Sequence, residues 1–318
     1  MMSNAVTGAL QMLLFSNKNL EEAQSNSASG KRITDAKDNP GYWSTANALS
    51  SDQSVVTSIG DALNLGESTV DTAYTALEAA LSQLSQMRST LVTAYDGSID
   101  RTKIATTLQS QKDGIASAVY AASFAGSNWL YNDEKTLTGS NSVVSSFQRA
   151  GTNSVTLKTQ SIPAAETVLV DAYDASRGLL TNVVDANTLN PDGSSTARNY
   201  YLLDVGSTTG VSGTEITVDA NTTSAQLDDM VDVIDQLMGK VTTMASRLGD
   251  MLNRITAQSE FADALVSSLK ASVSRLVEAN MEEVSVRLTA AKTQQSLASE
   301  AVNLANSNQQ NLSILFSS

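Results

Sequence analysis

Residues 227–276 read LDDMVDVIDQLMGKVTTMASRLGDMLNRITAQSEFADALVSSLKASVSRL. Leu227, Ile234, Val241, Leu248, Ile255, Ala262, Leu269 and Leu276 fall seven apart through all of it. The companions four further on are Val231, Met238, Ala245, Leu252, Ser259, Val266, Val273 and Asn280. Steps of four and three predict one long helix whose apolar stripe is a coiled-coil seam. After Asn280 the register slips by four residues, a stutter. A new seam follows in Val284, Leu288, Ala291, Ala298, Val302, Ala305, Leu312 and Phe316. About ninety residues of helix reach about 140 Å at about 1.5 Å per residue. No compact globule of this chain length is that wide, so the stripe predicts an extended shape and partner chains.

The first half carries the same signal. Val56, Leu63, Val70, Leu77, Leu84 and Leu91 are seven apart, and Ile59, Gly66, Ala73, Ala80, Met87 and Ala94 stand three further on. One column is large and the other mostly small, which allows a neighbour to approach closely. Tyr95-Asp96-Gly97-Ser98 reads as a turn, and Asp100 as the N-cap of a second helix. That helix carries Ile104, Leu108, Gln111, Ile115, Ala118, Ala122 and Ala125 at helical spacing. Two helices and a short turn predict an antiparallel hairpin.

Residues 130–220 differ in composition. Ser, Thr, Asn, Gly and Asp dominate, and Pro163 and Pro191 lie here. Short β-prone runs cover 142–147, 154–158, 167–170, 200–203 and 215–218. Ala150-Gly151-Thr152-Asn153 predicts a hairpin loop joining the first two, and Asn190-Pro191-Asp192-Gly193 another turn. The order is helices, a strand-rich insert, then helices. The two helical ends must return beside each other for their seams to match.

Composition excludes most chemistry. The 318 residues include 20 Lys+Arg, 33 Asp+Glu, no Cys and no His. Zinc sites with N/S ligands, Ser-His-Asp or Cys-His pairs, haem and iron–sulfur ligation all lose their residues. A net charge of −13 opposes nucleic-acid wrapping, which needs a basic stripe. Aromatic residues make up 5%, too few for a thick spherical core, and that suits helices packed along seams. Gly60, Gly66 and Gly97 fit no nucleotide fingerprint. Asp228, Asp229, Asp232 and Asp235 offer hard oxygen ligands for calcium, but carboxylates drawn to a helix N-terminus explain them better. The Ser/Thr-rich insert offers hydroxyls for O-linked sugars, though ordinary strand and turn composition accounts for it better. We therefore expect no enzyme activity and assign no catalytic, cofactor-binding or metal residue.

The apolar run Ala9, Leu10, Met12, Leu13, Leu14 and Phe15 has no Lys or Arg before it and no A-x-A pattern after it, so no Sec signal is expected. No stretch approaches the ~20 apolar residues of a membrane span.

Four short stretches resemble one family. Ser29-Gly30-Lys31-Arg32-Ile33-Thr34-Asp35-Ala36-Lys37-Asp38-Asn39 is similar to the linker of bacterial flagellins. Phe124-Ala125-Gly126 looks like their F-N-G or F-G-G, and Ser274-Arg275-Leu276-Val277-Glu278-Ala279-Asn280 like S-R-I-x-D-A-D. Asn311-Leu312-Ser313-Ile314-Leu315 is similar to the terminal N-x-L-S-L-L. They occur in the family's order around a strand-rich insert. Pro40 stands where the family usually has Ala, with Asp38 or Asn39 placed to cap the helix that it starts. Glu278 and Asn280 replace the usual acidic pair.

The resemblance implies a mainly α protein in which long coiled-coil helices from both termini pack as an elongated rod, with the small β-rich insert as outer domain. The implied segments are an inner arm and linker (1–40), rod helices (41–129), the insert (130–220, hairpin at about 142–159), a rod helix (221–276) and a second inner arm (277–318). The columns Val56–Leu91 and Leu227–Leu276 become the polymerisation and rod seams. Leu10, Leu14, Val284, Leu288, Val302, Leu312, Leu315 and Phe316 become the inner-arm assembly residues. Function follows as a self-assembling subunit of the flagellar filament, secreted by type III export and used for swimming. Other flagellin subunits, the filament cap, hook-junction proteins, an export chaperone and the export apparatus are the implied partners, and the runner-up is a hook–filament junction protein with the same arms. Gln86, Arg88 and Leu91 align with the segment read by the vertebrate innate flagellin receptor. Ser89 and Thr90 stand where that segment has Glu and Leu, so weak or absent recognition is expected.

Overall fold

A computed structural model describes residues 2–137, 139–150, 154–191 and 197–316. Five helices carry the chain: α1 (Met2–Ser29), α2 (Pro40–Thr93), α3 (Arg101–Ala121), α4 (Ser224–Val277) and α5 (Met281–Phe316). Among the described residues nine strands lie between α3 and α4: β1 (Ser123–Phe124), β2 (Ser127–Asn128), β3 (Tyr131–Asn132), β4 (Ser140–Ala150), β5 (Ser154–Pro163), β6 (Val170–Asp171), β7 (Val184–Asp185), β8 (Asn199–Tyr201) and β9 (Thr214–Glu215). The chain divides into two compact units, Met1–Thr57 with Asp263–Ser318, and Ser58–Ala262. Mainly helical, with long terminal helices packed together and a small strand-containing insert, it has the architecture expected from the seams.

In the first unit α1 and α5 pack antiparallel. Val6, Ala9, Leu13, Ser16, Leu20 and Ala23 turn inward from α1, and Val284, Leu288, Ala291, Ala298 and Val302 from α5. Gln295 Nε2 donates to Asn17 Oδ1 across the pair at 3.1 Å. Gly30, at φ +67°, ends α1 in the left-handed conformation that glycine tolerates best. The linker then takes over the end of α4. Arg32 N donates to Val277 O at 2.7 Å, Arg32 Nη2 to Leu276 O at 3.1 Å, and Ala279 N to Gly30 O at 3.0 Å. Ile33, Ala46 and Val277 form a small core there, with Val273 and Leu276 against it.

That clasp corrects the expectation of a continuous helix with a stutter. The carbonyls that would carry α4 onward are occupied by the linker. The helix stops at Val277, and Asn280 caps α5 by accepting from Glu282 N at 3.1 Å. Of the two caps open for α2, Asn39 is used, accepting from Tyr42 N at 3.1 Å. Asp38 instead closes the preceding turn, accepting from Thr34 N and Asp35 N at 3.0 Å.

In the second unit the columns of α2 form the core. Leu63, Val70, Leu77, Leu84 and Leu91 are fully buried, as are Ala80, Met87 and Ala94. Asp100 caps α3 as expected, accepting from Thr102 N at 2.9 Å. Ile104, Leu108, Ile115 and Val119 close the core from α3. On α4 the main column is buried, but its fullest companion column stands three residues on, in Met230, Leu237, Met244 and Met251. Val231, Met238 and Leu252, four on, are only half-buried. The insert explains the shift, because it covers a second side of α4: Arg198 Nη1 on the insert lies 2.9 Å from Asp229.

The small column has an unexpected neighbour. A Cβ on Gly66 would lie 3.1 Å from Val143 Cβ and 3.4 Å from Val144 O, so a strand, not a helix, uses the space. That strand is β4, which pairs antiparallel with β5 and has a bulge between Val144 and Ser146. The expected hairpin is present; residues 151–153 of its loop and residues 192–193 of the other turn lie outside the described residues. The remaining runs form only short strands, β6 to β9, among turns and 3₁₀ segments. Leu169, Leu180, Leu202 and Ile216 form a fully buried miniature core under them. The insert is tied to α3 by Lys112 Nζ, nearly fully buried and 2.6 Å from Glu215 Oε1, and by Arg101 Nη1, which donates to Asp219 O at 3.1 Å and also to Thr222 O.

Candidate functional site

The seam residues are spent within the chain. Val56, Leu63, Val70, Leu77, Leu84, Leu91, Leu227, Ile234, Val241, Leu248, Ile255 and Leu269 are all buried. Leu276 is half-buried against the linker core. This narrows the expectation that the long stripes need partner chains, since the chain's own helices and insert cover these columns. Any influence they have on assembly acts through the surfaces they hold in place.

The arms are different. Leu10 is 46% exposed, Leu14 68%, and their neighbours Met12 and Phe15 63% and 65%. Val286, Leu297 and Leu304 on α5 are 64–70% exposed. Only Ala9 and Leu13 of the N-terminal apolar run turn toward α5. Among the expected α5 residues Val284 is buried, and Leu288 and Val302 are half-buried. The side chains of Leu312, Leu315 and Phe316 lie outside the described residues. Sequence reading missed Val286, Leu297 and Leu304, because they stand off the seam that it followed. An apolar residue between seam positions on a polar helix was the available signal. Two packed helices thus show apolar rows on their outer faces, an arrangement that marks protein contact surfaces.

The remaining expectations resolve locally. Gln86 is exposed, but Arg88 Nε lies 2.6 Å from Asp235 Oδ1 and Leu91 is fully buried, so the three do not form one accessible surface. Leu91 belongs to the core because it sits in the seven-residue column. The acids at the start of α4 diverge. Asp228 accepts from Tyr95 OH at 2.5 Å, Asp229 pairs with Arg198, and Asp235 with Arg88. No acid stands in the first turn of α4, so specific partners rather than the helix dipole hold Asp228, Asp229 and Asp235. Among the described residues no group of three or more His, Cys, Asp or Glu could hold a metal ion. Among the same residues no helix is long and apolar enough to cross a membrane.

A seam-built helical body with unquenched apolar arms defines a structural protein of the self-assembling kind. Residues 3–135 match the family model of the bacterial flagellin N-terminal helical region, and residues 231–316 that of the bacterial flagellin C-terminal helical region. The chain is 40% identical over 316 residues to Flagellin C of Rhizobium meliloti (strain 1021), covering 99% of this chain and 98% of that one. It is 31% identical to a Rhizobium meliloti Flagellin A, covering 99% and 98%. A Brucella melitensis flagellin is 33% identical, covering 99% and 97%. The chain belongs to the bacterial flagellin family.

Proposed function

We infer that this chain is a structural subunit of the flagellar filament, polymerising with other flagellin subunits to serve swimming motility. The exposed apolar rows of α1 and α5 carry the reading. A soluble monomer gains nothing by keeping Leu14, Phe15, Val286 and Leu297 in water, whereas a helical stack of copies covers them. Heterologous contacts that do not close generate an open filament. The paired arms form the inner layer, the bodies of α2, α3 and α4 the rod layer, and the insert the outer surface. Export through a type III channel, chaperone binding, and contacts with the cap and hook junction belong to the same reading, as does an extracellular place in the filament. The hook–filament junction alternative is not favoured, since the chain matches named flagellins end to end.

Purified chain, raised in concentration with filament seeds, tests this by electron microscopy. Tubes that elongate, and that fail when Ser307–Ser318 is deleted, support the reading. A monomer that stays dispersed with seeds present overturns it, and a few junction-like rings without elongation revive the alternative. Recognition by the innate receptor is expected to be weak or absent; a reporter assay showing potency equal to an enteric flagellin would refute that.

A further inference from the structure

The bonds that stop α4 come from the linker, outside the helix. Glu278 N still donates to Ser274 O at 2.8 Å, as a helix requires, but the next amide, Ala279 N, is diverted to Gly30 O at 3.0 Å. In an uninterrupted helix the N–H groups of Asn280 and Met281 would occupy Leu276 O and Val277 O. Leu276 O is taken instead by Arg32 Nη2 at 3.1 Å. Val277 O is taken by the backbone N–H groups of Arg32 and Ile33, at 2.7 and 3.3 Å. Both lone pairs of Val277 O are then used, so the clasp and the uninterrupted helix exclude each other.

The local sequence provides for both arrangements. Residues 250–318 contain neither Gly nor Pro, and Glu278, Ala279 and Asn280 are all tolerated inside a helix. The four-residue slip of the seam after Asn280 is one that a continuous helix absorbs by local unwinding. The broken form has its own support. Asn280 Oδ1 accepts from Glu282 N at 3.1 Å, and Glu282 and Glu283 stand in the first turn of α5, where the helix dipole favours carboxylates. One segment has two satisfied arrangements, and residues 30–33 choose between them.

That choice governs the arms. Gly30 ends α1 and Met281 begins α5, so the Ala279–Gly30 bond makes the clasp the turn of the antiparallel α1–α5 pair. The Gln295–Asn17 bond marks the register that this turn sets. We propose that residues 277–281 are a two-state joint switched by the linker. Docking of residues 30–33 breaks α4 and seats α5 on α1, and their release lets α4 run on into α5 as one helix. The joint lies wholly within the first unit. The proposal rests on the filament reading and makes the clasped form the one that elongates filaments.

Two prolines with opposite effects test it, read as the critical concentration for seeded elongation. Arg32→Pro removes both the guanidinium and the N–H that hold the end of α4, while Lys31, paired in an extended bridge with Glu278, accepts a following proline. Only the clasped fraction elongates, so the critical concentration should rise at least about tenfold. Arg32→Ala keeps the N–H and should raise it about threefold. Met281 is exposed and opens α5. Proline suits the first position of a helix and is excluded from its interior, so Met281→Pro forbids only the uninterrupted form. It should elongate at the parent's concentration or below. Added to Arg32→Pro, it should restore elongation to within about threefold of the parent, whereas Met281→Ala added to Arg32→Pro should restore nothing. A Met281→Pro chain as poor as Arg32→Pro, a double proline variant no better than Arg32→Pro alone, or equal rescue by alanine overturns the switch and leaves the filament reading in place. A parent that does not elongate overturns both.

Discussion

Ser259 on α4 donates a 2.8 Å hydrogen bond to Asn64 on α2. It is one rung of a ladder whose other rungs are Thr256 to Glu67, Arg88 to Asp235 and Tyr95 to Asp228. Steps of 3, 21 and 7 residues forward along α2 and into the turn after it are matched by the same steps back on α4. The two helices therefore hold one antiparallel register through the second unit. Apolar columns of similar residues cannot set a register alone, and the polar rungs can.

The buried rung should matter most. Ser259 is 8% exposed. We expect Ser259→Ala to cost about 0.5–1.5 kcal/mol, the net worth of one hydrogen bond, because the exposed Asn64 can turn to water. The exposed Arg88–Asp235 pair should couple by at most about 1 kcal/mol in a double-mutant cycle. Urea unfolding of the four single variants and their pairs measures both, and equal coupling at the two rungs would contradict this ranking.

The ladder also predicts an alkaline weakness. Burial first, and then the bond to Asp228, push the Tyr95 hydroxyl up to about 12 from its ordinary 10.0. The folded chain holds this proton more tightly than the unfolded one, so its stabilising contribution is complete below pH 10 and lost as pH rises toward 12. Tyr131, Tyr200 and Tyr201 are shifted upward too. Tyr95→Phe should therefore reduce, without abolishing, the fall in stability over that window. An identical slope in the variant would contradict the assignment.

Much of this architecture was legible in residue spacing. The sevenfold columns of α2 and α4, the Asp100 cap and the β4–β5 hairpin each rest on local pattern or turn chemistry. The break at Val277 was not legible, because the groups that cause it, Arg32 N and Gly30 O, are more than two hundred residues away in sequence. The runs at 167–170, 200–203 and 215–218 read as strands because they are rich in apolar, aromatic or β-branched residues. In the fold they mainly fill the insert's small core, where burial rather than pairing selects the same residues. The outward faces of Leu14 and Phe15 were equally hidden, since an unbroken apolar run does not say which members meet the partner helix.

Two glycines of α2 should behave oppositely. Gly66→Val would press on Val143 and the β4 backbone, costing about 1–3 kcal/mol and loosening the hairpin. Gly60 has nothing within 4 Å of its absent Cβ, so Gly60→Ala should gain up to about 1 kcal/mol from helix propensity. Thermal unfolding with hydrogen exchange at residues 143–147 separates them, and equal effects would contradict the packing.

The β1–β2 turn stores strain. Phe124 pairs with Ser127 across a two-residue loop, in which Ala125 has φ +50° and Gly126 φ +82°. Such turns favour Asn before Gly. Ala125→Asn should stabilise the chain by about 0.5–1 kcal/mol, seen as a higher denaturant midpoint. A lower midpoint would show that Ala125 is not strained.

The central claim is that the outward apolar rows of the arms are covered by other copies of the chain. Seeded elongation of a Leu10→Ser, Leu14→Ser variant tests it most directly. Each leucine buried in a contact is worth about 1.5–3 kcal/mol. The variant should keep the parent's helicity and thermal unfolding, yet need at least about a hundredfold higher concentration to elongate seeds. Elongation at the parent's critical concentration would contradict the account.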